Sequence, residues 1–164
     1  MQPEDIQREL VISMLQKIYW VEAHAEELVL WEALIESGEE AKQALDTLIR
    51  DSGRHRILVG DWLNRLGIKL PESPPAGLSA KTFDFSGKEL PEMWKEILKY
   101  EILMKGQYEN LMGAECEPGI KSLIPDETAR EELVSQIKEL INAESMHMEI
   151  CRQSMGAFRR IIGK

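Results

Sequence analysis

The chain has 164 residues, 43% hydrophobic and 30% charged, which suits a single domain (1–164) with a sizeable core. Its net charge of −9 excludes nucleic acid as the main partner, because phosphate contacts need a basic face. No apolar run reaches the ~20 residues of a membrane span, and the two cysteines, Cys116 and Cys151, form no Cys-x-x-Cys pair of the kind that builds a zinc ribbon.

Aromatic residues are only 6%, while Leu, Ile, Glu and Lys are plentiful, so helix is favoured over sheet. The first residues lack the basic and apolar regions of a signal peptide, and a cytoplasmic protein is expected. Pro3-Glu4-Asp5 is a good helix start, and the helical pattern runs over about 4–36. Ser37-Gly38 breaks it. A second helix spans about 39–66 and stops at Gly67. So short a break predicts an antiparallel hairpin.

Residues 68–89 hold Pro71, Pro74, Pro75, Gly77 and Gly87, and no continuous helix passes through them. At ~3.3 Å per extended residue, such a segment can return along a whole helix, so it reads as a crossover within one domain. A third helix spans about 90–112, with Pro91 in its first turn. Residues 113–125 read as a loop. A fourth helix, opened by Asp126-Glu127-Thr128, runs over about 126–156. The expected architecture is all-α: an antiparallel four-helix bundle of two hairpins joined by one long crossover.

The second and fourth helices carry nearly the same phrase. Leu48-Ile49-Arg50-Asp51-Ser52-Gly53-Arg54-His55 matches Leu140-Ile141-Asn142-Ala143-Glu144-Ser145-Met146-His147. The second copy contains Glu-x-x-His, whose side chains share one helical face within a turn. Used twice, that motif builds carboxylate-bridged dinuclear metal sites in helical bundles. Carboxylates and neutral imidazoles suit Fe, and also Mn or Zn. Each remaining helix supplies a carboxylate. Glu101 lies among Ile97, Leu98 and Met104, with Tyr108 seven residues on. Glu22 precedes Ala25 and Val29, near the level of His55 when counted from the Ser37-Gly38 turn.

The helix pattern, the crossover and these motifs resemble the ferritin-like superfamily, nearest to its rubrerythrin and bacterioferritin types. The resemblance covers most of the chain. It implies Glu22 and Glu101 as terminal carboxylates, His55 and His147 as terminal imidazoles, and Glu144 as a bridge between two irons. It further implies a ferroxidase or peroxide-reducing oxidoreductase whose partners are metal ions with dioxygen or peroxide, and a homo-oligomer of at least two chains. Tyr108 would donate a hydrogen bond to a ligand. The sequence departs from the pattern at Ser52, where a second bridging glutamate is expected; Asp51 and His24 are the candidate substitutes.

Plainer readings stand beside these. A buried histidine is commonly a core residue with a satisfied hydrogen bond. Glu22 has Glu26 and Glu27 for neighbours, as on a solvated acidic face, and Glu101 has Lys105 within reach for an exposed ion pair. On those readings the bundle is a non-catalytic interaction or structural protein with a decayed site. A zinc bundle of the DNA-damage-inducible type is disfavoured, because its His-x-x-x-His pair is missing around His147.

Overall fold

The computed structural model describes residues 2–25, 38–78, 85 and 87–162, the last six of these as backbone only. The described residues are all-helical, with five helices: α1 (Pro3–His24), α2 (Glu39–Arg65), α3 (Leu90–Leu111), α4 (Glu117–Leu123) and α5 (Glu127–Ile162). No described helix is long and apolar enough to cross a membrane.

Local chemistry explains three of the boundaries. Asp5 accepts a hydrogen bond from the Gln2 N–H at 3.0 Å, and Pro3 opens α1. Gly67 takes φ +67° just beyond α2, where a side chain would be strained. The Asp126 carboxylate accepts from the Ala129 N–H at 2.8 Å and so caps the start of α5.

Two boundaries correct the sequence reading. The expected loop over 113–125 contains α4, with Pro118 in its first turn. A Cβ on Gly119 would lie 2.4 Å from the Gln7 carbonyl oxygen, so only glycine lets α4 lie this close on α1. The last helix also runs past 156 to Ile162. The remainder of the expected first helix, 26–37, and most of 79–86 lie outside the described residues.

Contacts fix the helix directions. Glu22 meets His55, Tyr19 packs on Gly60, and the Gln16 side chain donates to the Lys69 carbonyl, so α1 and α2 run antiparallel. Arg65 pairs with Glu132, Trp62 with Gln136, and Asp51 with His147, so α2 and α5 are antiparallel as well.

The apolar interior has two clusters. One holds Ile18, Val21, Val59, Met104, Leu111, Leu133 and Leu140 among others. The second holds Ala25, Leu45, Leu48, Trp94, Ile97 and Cys151. Each long helix passes from one cluster to the other at a buried polar residue. In α1 that residue is Glu22, in α2 Ser52 and His55, in α3 Glu101, and in α5 Glu144 and His147. A polar layer therefore lies between two water-excluding caps.

Candidate metal centre

The polar layer is assembled by helical spacing. Glu144 and His147 are three residues apart on α5 and project from one face. Ser52 and His55 repeat that spacing on α2. Glu22 enters from α1 and Glu101 from α3. All six side chains are buried, with Glu144 and His147 only 1% exposed. Ionised groups at that depth need partners, because desolvation of a lone charge is costly.

His55 Nδ1 lies 3.2 Å from Glu22 Oε1 and 3.0 Å from Glu144 Oε1. His147 Nδ1 lies 3.2 Å from Glu101 Oε2 and 3.5 Å from Glu144 Oε2. The two imidazoles are stacked, with centroids 5.6 Å apart. Glu22, His55 and Glu144 thus form one trio of donors, and Glu101, Glu144 and His147 a second. Glu144 belongs to both, one oxygen to each.

Each Nδ1 faces two carboxylates, yet one N–H can donate well to only one of them. His55 is hydrogen-bonded to Glu22 and His147 to Glu101. Both Glu144 oxygens are left without a hydrogen bond of acceptable geometry, although fully shielded from water. Buried acceptors in that state are rare and call for an explanation. The spacing supplies one. Donor atoms bound at about 2.1 Å to a common ion lie about 3.0–3.4 Å apart. The imidazole–carboxylate distances match that spacing, and the donor atoms of each trio all lie within 4.8 Å of one another, so each trio could hold a cation.

Two further side chains hydrogen-bond to members of the trios. Tyr108, 1% exposed, donates from its hydroxyl to Glu22 Oε1 at 3.0 Å. Asp51 Oδ2 lies 3.2 Å from His147 Nε2, the ring nitrogen turned away from Glu101. Asp51 therefore does not take the bridging place suggested for it from the sequence. It stands behind His147, and its other oxygen faces Arg54 at 3.7 Å and Arg50 at 3.9 Å. His24 is also outside both trios. Its Nδ1 lies 2.7 Å from the Trp20 carbonyl oxygen, and its ring packs on Trp20. Lys105 pairs with Glu109 at 3.8 Å, not with Glu101.

The electrostatics follow from this crowding. Burial alone would lower the His55 pKa, but Glu144 and Glu22 outweigh it and raise it to about 9. Burial is likewise outweighed at His147, where Glu101 and Glu144 raise the pKa to about 11. Burial and the neighbouring Glu144 push Glu101 up. Burial also opposes charge on Glu144, yet Glu101, His147 and His55 around it hold its carboxyl down. Burial, followed by Glu22, keeps the Tyr108 phenol protonated as a donor. Without a metal, protons supply the positive charge of this layer.

Comparison with known proteins returns no matching family model, no matching curated protein and no matching solved structure.

Proposed function

We propose that the chain is a ferritin-like four-helix-bundle metalloprotein with a dinuclear carboxylate–histidine centre, acting as a non-haem iron oxidase or peroxide reductase. The observation that carries this reading is Glu144: a fully buried carboxylate shared by two donor trios, with neither oxygen hydrogen-bonded. Each of those oxygens is within ion-pair reach of an imidazole, His55 at 3.0 Å and His147 at 3.5 Å, but the hydrogen bonds of the two rings go to Glu22 and Glu101.

On this reading Glu22 with His55 would hold one ion, Glu101 with His147 would hold the other, and Glu144 would serve both. Tyr108 orients Glu22. Asp51 accepts a hydrogen bond from the His147 Nε2–H, which keeps the proton there and would leave the Nδ1 lone pair free for metal. The apolar clusters above and below exclude water. Iron, when bound, would supply electrons to dioxygen or peroxide. The donor set does not discriminate against manganese or zinc. Self-association, at least to a dimer, belongs to the same proposal.

One observation favours a rival, a non-catalytic bundle whose site has decayed: Ser52 is buried at the position equivalent to Glu144. Anaerobic loading with Fe(II), followed by dioxygen or peroxide, separates the two readings. Ferric absorbance that rises faster than for free Fe(II) supports the oxidase. Bound iron that is not oxidised faster, or no bound iron, leaves the scaffold reading.

A further inference from the structure

Ser52 occupies a particular place. It lies three residues before His55, as Glu144 lies three before His147, and it is 6% exposed. The repeated phrase makes the two positions equivalent on antiparallel helices α2 and α5. A serine Oγ stands where a glutamate has its Cγ. What Ser52 lacks, relative to glutamate, is a single carboxylate group; formate carries the same charge and would stand at hydrogen-bond distance from the Oγ instead of being bonded to it.

Charge gives the same answer. The trios contain three different carboxylates, Glu22, Glu101 and Glu144, with two imidazoles that are neutral when they bind metal. Three carboxylates against two divalent ions leave one uncompensated positive charge. Burying a net charge between two apolar clusters is costly, and one monoanion cancels it. Asp51 is a poor source of that charge, because it lies behind His147 and faces Arg54 and Arg50.

We infer that Ser52 leaves a subsite for a small monocarboxylate of the formate class, bound beside the Ser52 hydroxyl and opposite Glu144, completing the centre as a second bridge. The inference rests on the dinuclear reading above. It makes the chain a protein whose metal centre is finished by an exogenous anion, with ligand size limited to what the missing carboxylate vacates.

The test uses the full chain loaded with Co(II), whose visible bands report ligand changes without turnover. Metal per chain is measured first, then sodium formate is titrated at constant pH and ionic strength. The expected result is two cobalt ions per chain, a saturable spectral change on adding formate, and no change with bulky pivalate. Ser52→Glu should retain both cobalt ions and lose the formate response. Two cobalt ions with no formate response overturn the inference but leave the dinuclear centre standing. An equal response to pivalate, or an undiminished formate response in Ser52→Glu, also overturns it. Absence of bound cobalt removes both the centre and the subsite. Should Ser52→Glu fail to fold, the contrast between formate and pivalate on the natural chain still decides.

Discussion

His147 is held from both sides: its Nε2 lies 3.2 Å from Asp51 Oδ2, and its Nδ1 lies 3.2 Å from Glu101 Oε2. A neutral imidazole carries one proton. On the proposed reading a cation at Nδ1 would leave that proton at Nε2, where Asp51 accepts its hydrogen bond, so the surface-side carboxylate would set the tautomer of the buried imidazole.

Asp51→Ala should therefore weaken metal binding by roughly 10–100-fold, the usual effect of removing a ligand's supporting hydrogen bond. Competition against a chelator measures it. The helices should remain, since Asp51 is only half-buried. Unchanged affinity would mean that Asp51 has no hold on the ligand.

Protons and metal should compete. Folding raises His55 and His147 from near 6.5 to about 9 and about 11. Their protonated forms thus favour the folded state, and that stabilisation is complete below about 6.5. It is lost as pH rises through about 9 and then about 11. The metal-free protein should accordingly melt at lower temperature as pH rises above neutrality. Metal needs the unprotonated Nδ1, so affinity should rise over the same range. Thermal unfolding with and without Co(II) should show the two curves diverging with pH; parallel curves would count against the histidines as ligands.

Tyr108→Phe removes the hydroxyl that donates to Glu22. The buried Glu22 oxygen then keeps only His55, and the metal-free protein should lose about 1–3 kcal/mol in urea unfolding. The loss should shrink when metal is bound, because the cation then partners Glu22. A full-sized loss in both states would confine Tyr108 to a packing role.

Gly119→Ala tests the fold apart from the metal. Its Cβ would meet the Gln7 carbonyl at 2.4 Å, so α4 must shift off α1. A destabilisation of about 1–3 kcal/mol is expected from overpacking, with metal stoichiometry unchanged. Neutral stability would show that α4 is not pressed against α1.

The residues of the polar layer were legible because helical spacing converts sequence directly into a face. Glu144 and His147 announce themselves at i, i+3, and the repeated Leu-Ile phrase leads to His55. Glu22 and Glu101 stand out as acids among apolar neighbours, and the structure brings all five together. Asp51 was harder to place. A residue four before a histidine and one three before it lie on either side of the same stripe, and only the final helix rotation decides which faces inward. Helix α4 was hidden because Pro118 and Gly119 read as breakers. Proline in a first turn costs no hydrogen bond, and glycine there is required by the Gln7 carbonyl.

The central claim, two ions sharing Glu144, is tested most directly by iron per chain after anaerobic loading with Fe(II), for the natural chain beside Glu144→Ala. At free metal ~100-fold above the dissociation constant, binding at one site should also stabilise the natural chain by about 2.7 kcal/mol. The account predicts two irons per chain, lost together in the variant because both trios depend on one carboxylate. No bound iron in the natural chain, or the same iron content in both proteins, would contradict it.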